Sequence, residues 1–84
     1  MAERGDRAFG LAVRQLRERR DLSQERLGQL SQLHRNYIGG IERGELNPTL
    51  RSIRKLAAAF GLRPSQLLAA GERLAAKTPA RRRR

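Results

Sequence analysis

SQERLGQLSQLHRNYIGGIERGELNPTL, residues 23–50, is the stretch on which the reading of this chain turns. Ser23 is placed to cap a short helix at about 24–30 that carries Leu27 and Leu30, with Leu22 and Leu27 set as a hydrophobic staple across the cap. Ser31-Gln32-Leu33-His34 contains no periodic apolar pair. Helical spacing resumes at Tyr37, Ile38 and Ile41 and stops at Gly44, which predicts a second short helix at about 35–43 followed by a glycine suited to a left-handed turn. Glu45-Leu46-Asn47-Pro48 reads as a loop, because a residue before proline is pushed out of the α region and proline donates no hydrogen bond.

Two short helices about four residues apart form a helix-turn-helix arrangement. Upstream, Phe9, Val13 and Leu16 recur at i, i+4 and i+7 with Ala12 beside them, the pattern of a helix at about 7–20 with Asp6 as its N-cap and Arg17, Arg19 and Arg20 at the negative end of its dipole. Downstream, Thr49 caps a helix at about 50–60 built on Leu50, Ile53, Leu56, Ala57 and Phe60 and closed by Gly61. Leu62 is expected to return to the core. Pro64 opens a fifth helix at about 64–70 with Leu67, Leu68 and Ala70, which Gly71 ends or bends, and Glu72 to Ala76 can add a turn. The expected architecture is all-α: one five-helix domain over residues 1–76 with its core in 7–70, and a disordered basic tail at 77–84 that has nothing to bury.

The chain has no cysteine and one histidine, His34, so neither a disulfide framework nor a Cys/His zinc site is available, and no metal or cofactor is expected. No apolar run approaches the roughly 18 residues of a membrane span, and the N-terminus lacks the apolar stretch of a secretory signal. A soluble, cytoplasmic, nucleoid-associated protein without a membrane partner is expected. Nineteen Lys+Arg against eight Asp+Glu give a net charge of +11. Fourteen basic and eight acidic residues in 1–76 leave that part at +6, so the body is basic even without its tail. A polyanionic partner is the first inference, against the plainer one that arginines only solvate a small protein. There is no nucleophile–base pair, no paired carboxylate and no phosphate-cradling glycine loop, since Gly39-Gly40 falls within a helix; an enzyme is not expected.

The landmarks Leu22-Ser23-Gln24, Tyr37-Ile38, Ile41-Glu42-Arg43-Gly44 and Asn47-Pro48 make residues 8–70 closely resemble the phage repressor and Cro (XRE) family of helix-turn-helix regulators. Residues 34–48, HRNYIGGIERGELNP, look most like the small controller proteins of restriction–modification systems. The resemblance implies a compact repressor-like domain that binds double-stranded DNA sequence-specifically and regulates transcription. It also implies that the helix at 35–43 lies in the major groove while the helix at 24–30 crosses the backbone. The first turn presented to DNA is then His34, Arg35, Asn36 and Tyr37. Arg35 offers two parallel donors that match guanine O6 and N7, worth roughly 1–3 kcal/mol of base discrimination, or else makes a phosphate contact. Asn36 fits adenine N6 and N7, and equally a phosphate. Tyr37 packs its ring on the helix-two surface and offers its hydroxyl to a phosphate; His34 caps the helix or touches the backbone.

By the same resemblance Gln24 grips a phosphate at a helix N-terminus, Arg43 and the backbone near Asn47 form a second phosphate clamp, and Arg51 and Ser52 are further phosphate candidates. Glu42 pairs with Arg14 or Arg17 in a structural role. Gly39 and Gly40 admit a close backbone approach, either by DNA or by helix two. Leu67 and Leu68 are adjacent, so both can hardly face one small core; with Leu62, Ala70 and Leu74 they mark the surface of a two-fold homodimer reading half-sites about 34 Å apart or a multiple of it. RNA polymerase is a further partner for such a regulator. The tail, Arg81 to Arg84, adds sequence-independent affinity or merely solubility. Two other functions compete: an antitoxin that neutralises a partner toxin and autoregulates its operon, and an architectural DNA binder without sequence preference.

Overall fold

Five helices, α1 (Arg4–Arg19), α2 (Gln24–Ser31), α3 (Arg35–Glu42), α4 (Leu50–Phe60) and α5 (Pro64–Lys77), make up the computed structural model, which describes residues 4–77. The three middle helices end within a residue of where the sequence places them, because their starts are capped locally. The Ser23 hydroxyl accepts from the Arg26 N–H at 2.9 Å, and the Thr49 hydroxyl accepts from the Ser52 N–H at 3.0 Å. The expected left-handed glycines are present, Gly44 at φ 75° and Gly61 at φ 72°. Gln32, at φ 62°, is a left-handed end to α2 that nothing in its side chain announces.

The outer helices depart from expectation. α1 begins at Arg4, so Asp6 lies inside the first turn rather than at the cap, still at the positive end of the dipole. α5 runs straight through Gly71 to Lys77. Gly71 neither ends nor bends it: a Cβ there would sit 3.1 Å from the Phe9 Cα, so this glycine serves the close approach of α5 to α1. Lys77, expected in the disordered tail, is therefore the last residue of a helix, and residues 78–84 lie outside the described residues.

The core comprises Phe9, Val13, Leu27, Ile38, Ile41, Leu56, Ala57, Phe60 and Leu67. Burying a side chain of Val, Leu or Ile contributes roughly 1.5–3 kcal/mol, which is how a chain without disulfides holds itself together. Long α1 packs against α5, α3 and α4, and α2 closes over α3 and α4. Where α1 meets α3, Gly10 lets the backbones touch; a Cβ would collide with the Ile41 carbonyl oxygen. Of the two adjacent leucines, Leu67 is fully buried in the core and so cannot belong to a self-association surface, whereas Leu68 is 42% exposed. Leu62 packs at the core margin, and with Ala70 and Leu74 it lines a groove between α1 and α5. No helix among the described residues is long and apolar enough to cross a membrane.

Candidate nucleic-acid interface

An eight-residue helix such as α3 is too short to be stable alone, so its orientation has to be imposed by neighbours. Ile38 and Ile41 bury its inner face. At its end, Glu42 receives a forked pair of hydrogen bonds from Arg17 of α1, Nε to Oε2 at 2.7 Å and Nη2 to Oε1 at 3.1 Å. Arg17 Nη1 also donates to the Leu22 carbonyl at 2.8 Å, and Gln24 Nε2 of α2 donates to Glu42 Oε1 at 2.9 Å. The Glu42 side chain is only 4% exposed, so one carboxylate joins α1, α2 and α3 out of water. The hydrogen bond to Glu42 raises the Arg17 guanidinium above arginine's ordinary range, opposed by burial. A raised folded-state pKa adds stability below the unfolded value and loses it only as pH climbs through the folded value, so this contribution persists up to strongly alkaline solution.

The outer face is open by contrast. His34 Nδ1 accepts from the Asn36 N–H at 3.0 Å and so caps α3 in the manner expected of it. Arg35 and Asn36 are exposed on the first turn, next to α2. Arg35 Nη1 lies 3.6 Å from Glu25 Oε1, with the arginine side chain 61% exposed. The result is a short, firmly seated helix whose leading turn carries two exposed polar side chains, Arg35 and Asn36. Residues 13–67 match the family described as helix-turn-helix.

The chain belongs to the helix-turn-helix family. It is a DNA-binding transcription regulator of that family, with α2 and α3 as the motif. It is 46% identical over 61 residues to control protein C.BamHI of Bacillus amyloliquefaciens, covering 71% of this chain and 75% of that one. It is also 46% identical to control protein C.SmaI of Serratia marcescens, over 56 residues and 67% of each chain. Among solved structures, the restriction-modification controller protein C.AhdI from Aeromonas hydrophila is similar with a TM-score of 0.70 at 48% identity, covering 73% of this chain and 92% of that one.

Around this helix-turn-helix the remaining side chains sort themselves. Gln24, at the first position of α2, is not loose: its amide is held by Glu42, which leaves its second N–H for another acceptor. Tyr37 packs its ring against the core, and its hydroxyl sits 2.9 Å from Ser52 Oγ of α4, not in open solvent. Ser52 is itself buried and within 3.0 Å of Thr49 Oγ1, so it is an internal partner of Tyr37 and not the surface phosphate contact expected of it. Arg51 beside it is exposed. Arg43 follows α3, exposed, with Nε 3.1 Å from Glu45 Oε1, and Asn47 is exposed in the loop beyond.

Gly39 and Gly40 are buried and make room for side chains. A Cβ on Gly39 would lie 3.1 Å from Arg43 Nη1 and 3.5 Å from Gln24 Oε1, and one on Gly40 would strike Leu46. An approach by DNA backbone is thus excluded at Gly40, which a loop leucine covers. Besides the Tyr37–Ser52 and Gln24–Glu42 hydrogen bonds, two further contacts escaped the sequence. Glu25 facing Arg35 was legible in principle, since it stands beside Gln24 on the turn of α2 nearest the start of α3. Arg20, which donates to the Phe60 carbonyl at 3.0 Å and lies 5.2 Å above that ring, left no local signal.

Proposed function

We propose that this regulator binds a two-fold symmetric operator as a homodimer, with α3 in the major groove and Arg35 and Asn36 reading base edges, as restriction–modification controllers regulate their operons. The observation that carries this reading is the contrast on α3 itself: Arg35 and Asn36 stand exposed on a capped first turn while the rest of the helix is locked into the protein. Arg35 is the guanine reader and Asn36 the adenine reader. Gln24, His34, Arg43, Asn47 and Arg51 contact the backbone and set register without carrying sequence information, whereas the Tyr37 hydroxyl is engaged by Ser52. The basic body, together with Arg81 to Arg84, supplies salt-dependent affinity. The protein acts in the cytoplasm on chromosomal or plasmid DNA, performs no catalysis, and transmits its effect through RNA polymerase at the adjoining promoter.

Self-association runs through exposed apolar side chains of the last two helices, above all Leu68, with Leu50 of α4, 59% exposed, contributing. A single module of this size has too little contact surface for high operator affinity, so pairing half-sites is required. Selection of binding sites from a random duplex pool at near-physiological salt, repeated with Arg35→Ala, tests the reading. It requires a symmetric motif from the wild type and loss of preference at one base per half-site in the variant. Tight binding without any motif refutes it in favour of an architectural binder.

A further inference from the structure

One concavity of the molecule lies away from α3, between α1 and α5. It is a groove of about 420 Å³, within the size range of ordinary binding sites. Its apolar lining is half-buried, formed by Leu16 of α1, Leu62 from the α4–α5 connection, and Ala70 and Leu74 of α5, with Gln15 and Gln66 beside them. Its rim is basic: Arg19, Arg73 and Lys77, all exposed, stand along it. No aspartate or glutamate is among its described lining residues, and none of the three cations forms an ion pair within the described residues.

We infer that this groove is a docking site for an amphipathic helix of another protein, apolar along one face and flanked by carboxylates. Shape and charge together choose this occupant. An apolar trough between two helices receives leucine-type anchors at i, i+3, i+4 and i+7 spacing, the helix-in-groove mode of recognition. An unneutralised basic rim favours acidic flanks and disfavours wrong partners by like-charge repulsion. A second copy seated groove to groove would bring its own Arg19, Arg73 and Lys77 against the first set. The chain's own C-terminal segment carries the same sign, in Arg81 to Arg84. Both are poor occupants. Leu62, Ala70 and Leu74, which sequence reasoning assigned to the homodimer, therefore serve a different partner, and Leu68 outside the groove is left for self-association. Because the groove is separate from α2 and α3, an acidic partner and DNA bind together.

The test uses the full chain and two synthetic helical peptides with the same leucine face, one flanked by glutamates and one by lysines. Backbone amide shifts are followed by NMR with duplex DNA already bound, so that the acidic peptide cannot act as a DNA mimic on α3. The glutamate peptide is expected to bind at least about tenfold tighter than the lysine peptide, with shifts at residues 16, 62, 70 and 74. The charge reversals Arg19→Glu and Arg73→Glu, both on exposed side chains without an ion pair among the described residues, should together invert that preference. Equal binding of the two peptides, no binding of either, or shifts confined to α2 and α3 overturns the proposal. So does a Leu74→Asp variant, still helical by circular dichroism, that has become monomeric while Leu68→Asp remains dimeric, because the groove would then be the homodimer contact.

Discussion

The two faces of α3 are built on opposite principles. On the inner face Ile38, Ile41 and Glu42 are withdrawn from water, and Glu42 alone is bound to two other helices. On the outer face Arg35 keeps most of its surface in water, with a 3.6 Å ion pair to an equally exposed Glu25. An exposed pair of that kind is worth at most about 1 kcal/mol and is readily exchanged for a base or a phosphate. The difference teaches how a short helix is made into a reader. The fixing is done from behind, so that the face proposed to meet DNA is left with weak, replaceable contacts. Gly10 and Gly39 belong to the same design, since they let α1 close against α3 and let Gln24 and Arg43 fold over it.

Substitutions on the inner face should unfold the protein, and those on the outer face should change what it reads. The largest effect is expected for Glu42→Ala, which leaves the Arg17 guanidinium buried without its carboxylate. A loss of about 3 kcal/mol is expected, at the low end for a buried pair because Arg17 keeps some contact with water. Thermal unfolding should shift down by more than about 10 °C; a shift of a degree or two would show that the clamp is dispensable. Gly10→Ala should follow, at roughly 1–3 kcal/mol, since the new methyl meets backbone and not a side chain that can swing aside. Denaturant titration with an unchanged midpoint would mean that α1 and α3 separate freely.

Arg35→Ala is expected to leave stability within about 0.5 kcal/mol while removing roughly 1–3 kcal/mol of discrimination at one base per half-site. Competition binding with single-base operator variants measures it, and a uniform loss across all variants would reassign Arg35 to a phosphate. His34→Ala should cost about 1 kcal/mol through the lost cap, with no change in preferred sequence. Smallest of all, deletion of residues 78–84 should lower the slope of log affinity against log salt by at most about 0.9 per phosphate released and leave the selected motif as it was.

The sequence makes the inner face largely legible, because Ile38, Ile41 and the neighbouring caps lie in one continuous pattern and a buried glutamate demands a cation. It does not choose between Arg14 and Arg17, which are less than one turn apart on α1; the phase of that helix against α3 decides for Arg17, and Arg14 pairs with Glu18 instead. Tertiary packing also governs the remaining departures. Gly71 looks like a helix terminator until the approach of Phe9 is known. Leu67 and Leu68 announce that one of them is exposed without saying which. Ser52 has the composition of a surface cap neighbour, and only the arrival of Tyr37 from α3 turns it inward. The outer face carries no such internal check, since the fold places little constraint on an exposed arginine such as Arg35.

Methylation interference on the selected operator addresses the reading of DNA by α3 most directly. If Arg35 donates to guanine N7 and O6 in the major groove, methylating N7 of a single guanine in each half-site abolishes binding by the wild type and leaves binding by Arg35→Ala unaffected. Interference at no guanine, or equal interference for both proteins, would contradict the assignment of Arg35 and with it the division of α3 into a fixed face and a reading face.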